Sequence, residues 1–245
     1  MAIDITMQSD EELSKIRALQ EMESFRNVPH STLEQMASYF IARRYERDQC
    51  LWREDAPART FIFIVSGCVK VTKWRSDGSE FIVDVFADEQ PLNNMAAYLG
   101  EKYPVSVYAL GDTMTLEIHR SHFIANVLDN PDVLRGFFGQ MVNCNQKMLS
   151  RLQELTTGDT EKRLAMLFSK FAVSVGQRTR LESGKMGVHI PLPLSRKDIA
   201  QLLNVRTETA IRYMSRWNKE GPVRTDPKGF TIVEPERLQE LVQAE

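Results

Sequence analysis

Three periods of apolar residues divide the chain. From about residue 40 to 120 the pattern alternates: FIFIVSG runs into CVKVTKW, RSDGSE follows with Asp77-Gly78 as a turn, and FIVDVF, PVSVYAL and TMTLEIH complete the stretch. Short β-rich runs separated by Gly, Asp and Pro predict an antiparallel β-roll of jelly-roll type. One short helix is expected inside it, at LNNMAAYLG.

After Asn130 the period becomes helical. Leu134, Phe138, Met141, Met148, Leu152 and Leu155 follow at steps of four, three, seven, four and three, a heptad seam whose gap is filled by Asn145. Pro131 suits the first turn of this helix. About 25 residues is long for a purely internal helix, which favours a seam between two copies of the chain. In such a seam a single Asn fixes register and oligomer number at some cost in stability. The alternative is a helix packed on its own domain with Asn145 at the margin. TTGDT (156–160) then breaks the seam, and Asp159 or Thr160 is a natural N-cap for EKRLAMLFSKFAVSV. The hinge between domains is placed here.

The third segment holds two short amphipathic helices. Ser195 is an N-cap with Asp198 three residues on, a variant of the capping box. Ile199, Ala200, Leu202 and Leu203 form an apolar face, and Asn204 stands at the link, where a residue tolerant of positive φ is needed. The second helix turns Ala210, Tyr213, Met214 and Trp217 inward and Thr207, Glu208, Ile211 and Arg212 outward near its start. That is helix-turn-helix geometry, in which the second helix enters the DNA major groove. PVRTDPKGFTIVEPERL follows as strand, turn at Asp226-Pro227-Lys228-Gly229, strand and short helix. A hairpin directly after a recognition helix is a wing, with Lys228 and Arg224 near the nucleic-acid backbone. The expected fold is α+β: an N-terminal arm (1–20), a β-roll sensor domain (21–128), a long dimerisation helix (129–157) and a winged helix-turn-helix domain (158–245).

Charge supports a polyanion partner for one end only. Residues 159–245 carry 15 Lys and Arg against 11 Asp and Glu, a balance of +4, and the remainder carries 16 against 22, a balance of −6. The residue types suit DNA. Arg212 can pair with guanine O6 and N7, Glu208 can accept from cytosine N4, and the two are spaced to orient each other. Arg206, Thr209, Arg216, Ser195 and Lys228 are expected on phosphates, which position rather than specify, and Thr207 with the base readers. The competing reading is an ordinary helical hairpin with a solvated Glu–Arg pair.

Cys50, Cys68 and Cys144 include no C-x-x-C pair and read as structural thiols of a reducing compartment. The acidic start MAIDITMQSDEEL lacks the pattern of a secretion signal, and no apolar run approaches bilayer length, so a cytoplasmic protein without a membrane partner is expected. His119 and His122 stand three apart in LEIHRSHF, read as running off the end of a strand, while His30 and His189 are isolated. No metal site and no cofactor are expected. The alternative of another class is a haem- or metal-binding roll, sensor or enzyme, with an accessory helical domain.

The order of roll, long helix and winged helix-turn-helix resembles the Crp–Fnr family of bacterial transcription regulators over about residues 20–242. Glu208, Thr209 and Arg212 match the family's E-T-x-x-R signature, and Asp159 matches its hinge aspartate. FIFIVSGCVKV matches its strand–Gly–strand element with Gly67 at the turn. The resemblance implies a homodimer that reads a TGA-containing palindrome through Glu208 and Arg212. It further implies an activator that meets RNA polymerase. The departures are equally specific. Cyclic-AMP-binding members carry a Gly-Glu and, about ten residues on, an Arg-Ser; here Asn94 stands for the Glu and Pro104 for the Arg. A cyclic phosphate needs a cation or a backbone cradle, so cyclic AMP is not expected. The N-terminal cysteine cluster of iron–sulfur members is also missing, since the first cysteine is Cys50. An unidentified small effector near Asn94, Met95 and Pro104, or no effector at all, remains.

Overall fold

The computed structural model describes residues 13–87, 92, 94–156, 159–226 and 228–243. The chain divides into two compact units, residues 1–73 with 85–147 and residues 74–84 with 148–245. Expectations for residues 1–12, 88–91, 93, 157–158, 227 and 244–245, Pro227 of the wing turn among them, lie outside the described residues.

The alternating segment folds as an antiparallel roll. Strands β1 (Ile41–Tyr45), β7 (Thr113–His119) and β3 (Thr60–Ser66) make one sheet in the order β1-β7-β3. The other sheet runs β2-β6-β4-β5, from β2 (Cys50–Trp52), β6 (Ser106–Ala109), β4 (Cys68–Trp74) and β5 (Glu80–Ala87). Gly67 joins β3 to β4 at φ +93°, and a Cβ there would run into the backbone of Asp112 and Thr113. Only glycine fits that junction.

Helices close the roll. Helix α1, over residues 13–21, belongs in part to the expected N-terminal arm, yet Ile16 and Leu19 are fully packed in the core. Helix α2 (His30–Ala37) precedes β1, and α3 (Met95–Leu99) is the short helix expected at LNNMAAYLG. Helix α4 (Arg120–Asn126) was not expected: the strand β7 does not run off into solvent but turns at His119, which caps α4. Phe123 of α4 stacks on Phe61 at 4.0 Å between centroids. Phe25, Phe40, Phe63 and Phe137 complete an aromatic core around them.

Helix α5 (Pro131–Thr156) is the long helix of the seam. Asn130 caps it, its side-chain oxygen accepting from Asp132 N at 2.9 Å and Val133 N at 3.2 Å. Its two faces differ. Val133, Phe137 and Gln140 are buried on one side, whereas Leu134, Phe138, Met148 and Leu152 of the heptad stripe are exposed. Met141 and Leu155 are half-buried and Asn145 is exposed. Val142 and Leu149 widen the exposed stripe.

In the second unit, Asp159 caps α6 (Thr160–Val175) by accepting from Lys162 N at 2.8 Å. Strands β8 (Gln177–Arg180) and β9 (Met186–Ile190) form a hairpin, helices α7 (Arg196–Leu203) and α8 (Thr207–Glu220) follow, and β10 (Val223–Asp226) with β11 (Gly229–Ile232) make the wing before α9 (Pro235–Gln243). The two hairpins are not separate: β9 pairs with β11, giving one sheet in the order β10-β11-β9-β8. Phe168 of α6 packs on Phe230 of the wing at 5.1 Å and on Trp217 of α8 at 6.0 Å between centroids. These contacts hold both the wing and α8 to one helix.

Candidate nucleic-acid interface

Local hydrogen bonding sets the two helices of the motif. Ser195 and Asp198 form a full capping box at the start of α7. Ser195 N and Ser195 Oγ donate to Asp198 Oδ2 at 2.8 and 2.6 Å, and Asp198 N donates back to Ser195 Oγ at 3.1 Å. Ser195 was expected on a phosphate; both of its donors are instead spent on Asp198. At the link, Asn204 takes a left-handed conformation at φ 53°, ψ 49°. Helix α8 then starts at Thr207 with Arg206 as its N-cap residue, whose side chain makes no capping bond.

Helix α8 is sharply two-sided. Ala210, Met214 and Trp217 are buried, Tyr213 is half-buried, and Arg206, Glu208, Arg212 and Arg216 are exposed. Ile211 is exposed beside them, while Thr207 and Thr209 are half-buried at the first turn. Glu208 and Arg212, the expected base readers, therefore share the open face of one helix. They do not orient each other directly: among the described residues no ion pair joins them. Arg212 lies instead over the Tyr213 ring at 5.6 Å, and Arg216 over the same ring at 5.0 Å. A guanidinium is held at a ring face by the ring quadrupole.

The remaining cations divide between structural and open positions. Lys228 is exposed at the wing, its backbone N donating to Asp226 Oδ1 at 2.8 Å. Arg224, expected beside Lys228 near the DNA backbone, is drawn inward. Its Nη1 donates to the carbonyls of Trp217 and Gly221 at 2.8 and 2.7 Å, adding a side-chain donor at the C-terminal end of α8. Arg216 meets Glu161 Oε2 at 2.5 Å.

Sequence reasoning missed Arg196. It bridges α7 to the wing through Nη2 to Thr225 Oγ1 at 2.9 Å, while its Nη1 is buried without a hydrogen-bond partner. Burial lowers its affinity for its proton below the usual guanidinium value. Nothing in the local sequence marks it, because Ser195-Arg196-Lys197 reads equally as a solvated first turn.

In the roll, the expected effector residues are engaged by the protein. Asn94 Oδ1 accepts from Ile62 N and Asn94 Nδ2 donates to Ile62 O, both at 3.0 Å. Pro104 is exposed and its carbonyl accepts from Lys73 Nζ at 2.7 Å, while Met95 is half-buried. Arg120 holds the other end of α3, Nε donating to Ala97 O at 2.8 Å and Nη2 to Tyr98 O at 3.1 Å. His122 stacks on Tyr39 at 5.5 Å between centroids and His119 Nδ1 meets Ser121 Oγ at 2.8 Å. Among the described residues no group of three or more His, Cys, Asp or Glu side chains converges as a metal site, and no helix is long and apolar enough to cross a membrane.

A β-roll, a long helix and a winged helix-turn-helix with an exposed Glu–Arg reading face define a class of regulators built on a cyclic-nucleotide-binding-like domain. Comparison with known proteins agrees. The cyclic nucleotide-binding domain family matches residues 42–130 and the Crp-like helix-turn-helix domain family matches residues 162–241, together more than two thirds of the chain. The transcriptional activatory protein AadR of Rhodopseudomonas palustris is 26% identical over 221 residues, covering 88% of this chain and 85% of that protein. The nitrogen fixation regulation protein FixK of Bradyrhizobium diazoefficiens is 22% identical, covering 82% of this chain and 81% of that protein. The solved structure of FixK2 from Bradyrhizobium japonicum shares the fold with a TM-score of 0.66 at 19% identity, covering 84% of this chain and 98% of that one. The chain belongs to the Crp–Fnr family of DNA-binding transcription regulators.

The turn conformation gives a direct test. A β-branched residue is poorly tolerated at positive φ, so Asn204→Val is expected to cost about 1–2 kcal/mol and Asn204→Gly less, since it keeps the turn and loses only the exposed bond from Arg75. Urea unfolding of both variants checks this; equal stabilities would show that the left-handed turn is not what Asn204 supplies.

Proposed function

We propose that the protein works as a homodimer in the cytoplasm, activating transcription by placing two copies of α8 in successive major grooves of a TGA-containing near-palindrome. The exposed apolar stripe of α5 carries this reading. Leu134, Phe138, Val142, Met148, Leu149 and Leu152 are each more than a third exposed on one helix, a stripe that a second copy of α5 would cover. Two-fold pairing of α5 brings with it two reading heads and a symmetric site. Glu208 and Arg212 supply base choice with Thr207 at the margin, and Arg206, Thr209 and Lys228 hold phosphates. Arg216 can join them only by leaving Glu161. The activator role and a contact with RNA polymerase rest on likeness to AadR, a protein named as a transcriptional activator.

Control in this reading owes nothing to cyclic AMP. Asn94 is committed to the backbone of β3, and Pro104 offers neither a cation nor an N–H to a phosphate. An effector of other chemistry acts only through unequal affinity for two arrangements of the dimer. The alternative is an effector-free regulator set by its abundance. Nor does the reading include a cofactor or a catalytic step. A visible spectrum of protein expressed with haem supplied is expected to lack a Soret band; a Soret band would reverse that part.

Two variants test the core of the proposal. Phe138→Glu with Leu152→Glu places like charges along an exposed stripe, so the double variant should sediment as a folded monomer while the parent sediments as a dimer. A monomeric parent protein would refute the seam. Arg212→Ala should lose about 1–3 kcal/mol of specific binding and relax base choice at one position of each half-site. Selection of bound duplexes from a random pool supplies the site for that measurement; unchanged selection by Arg212→Ala would remove α8 from the reading role.

A further inference from the structure

Glu161 stands in the first turn of α6, and neither its position nor its spacing marks it as part of the DNA interface. Its carboxylate nevertheless engages two consecutive residues of α8. Oε1 accepts from Trp217 Nε1 at 2.8 Å, and Oε2 meets Arg216 Nη2 at 2.5 Å. Trp217 is fully buried, so its indole N–H requires an internal acceptor, and Glu161 provides it. The second oxygen is thereby fixed in space beside Arg216. On its other side the Arg216 guanidinium lies 5.0 Å from the Tyr213 ring centroid. An arginine on the recognition helix is thus held between a carboxylate and a ring, although its side chain is half exposed.

We propose that Glu161 is a positioning residue that withholds Arg216 from the DNA backbone and so suppresses binding to non-specific duplex. The proposal rests on the reading of α8 as the DNA-facing helix. Non-specific affinity comes almost wholly from cations that displace counterions from phosphates. A guanidinium already neutralised by a fixed carboxylate displaces none, and the carboxylate adds repulsion of its own. Base reading by Glu208 and Arg212 does not pass through Glu161, so specific affinity suffers less than non-specific affinity. The gain is in the ratio of the two, the quantity that decides occupancy of a site among many competitors. Helix α6 suits this role, because a carboxylate in its first turn is favoured by the helix dipole.

The test is a charge cycle on the full-length chain, read as the salt dependence of binding to a duplex that lacks the selected site. Glu161→Gln keeps an oxygen for the Trp217 N–H and removes only the charge. It is expected to bind the non-specific duplex more tightly at low salt. It should also lose about 3.5-fold more affinity than the parent between about 50 and 200 mM salt, the effect of one added phosphate contact at a slope of about 0.9. Arg216→Gln in the parent background should leave that slope unchanged, and Glu161→Gln with Arg216→Gln should return it to the parent value. A slope that falls by about one contact on Arg216→Gln alone would overturn the proposal, because Arg216 would then already be on a phosphate. Additive effects in the cycle would overturn it too. A parent protein with no salt-dependent affinity for any duplex would overturn both this proposal and the DNA-facing reading of α8. A thermal melt of Glu161→Gln like that of the parent confirms that the changes report charge and not folding.

Discussion

The helix-turn-helix depends on how the C-terminal end of α7 is satisfied. A helix that stops in a left-handed Asn leaves carbonyls without intrahelical partners, and burying them unpaired is costly. Arginines supply the donors here. Arg151 of α5 donates through Nη2 to Leu202 O, and Arg163 of α6 donates through Nη1 to Leu203 O at 3.2 Å. Arg75, at the start of the turn between β4 and β5, reaches the Asn204 side chain at 2.7 Å. Positive charge at this end also complements the helix dipole. Arg151 is the most demanding of the three, being almost fully buried, and it is tolerated because Glu154 lies 2.9 Å away and Val83 O accepts from its Nε at 3.1 Å. The last turn of α7 is therefore held from outside the motif.

That dependence explains which parts were legible in the sequence. Ser195, Asp159 and Asn204 act on backbone groups within three or four residues of themselves, so residue type and spacing suffice to place them. Pairs across long stretches of chain leave no such trace. Arg151 on an amphipathic helix reads as a solvated face, yet its partners are 51 and 68 residues away in sequence. The same holds for Glu161 with Trp217, 56 residues apart, and for the pairing of β9 with β11. Helix α4 escaped because seven residues show barely two turns of period, and its one fully buried residue, Phe123, looks like a strand end when read in line with β7. Arg224 was misplaced for a related reason: an arginine in a wing satisfies the expectation for a phosphate ligand as well as it satisfies the end of a helix.

The roll shows the converse case, where a departure from a family pattern is itself structural. Asn94, expected beside an effector, is used here to fasten α3. Asn94 pairs with both backbone groups of Ile62 at one end of the helix, and Arg120 takes two carbonyls at the other. Gly100 ends α3 at φ 72°, and a Cβ there would press on the Arg120 guanidinium. A short helix bound at both ends by protein groups has less need of a ligand to order it, because the hydrogen bonds that a ligand would bring are already made.

Helix α5 joins these observations through its two faces. One face buries Val133, Phe137 and Gln140 near its start and Arg151 with Glu154 near its end. The other presents the apolar stripe. If the stripe pairs two copies as proposed, each α5 is gripped by its partner along one side while Arg151, on the opposite side, holds the last turn of α7. A rotation of α5 within the pair then moves a buried guanidinium whose hydrogen bonds permit little slack. Asn145, a polar residue exposed within the stripe, is where such a seam has least apolar attraction to resist the rotation.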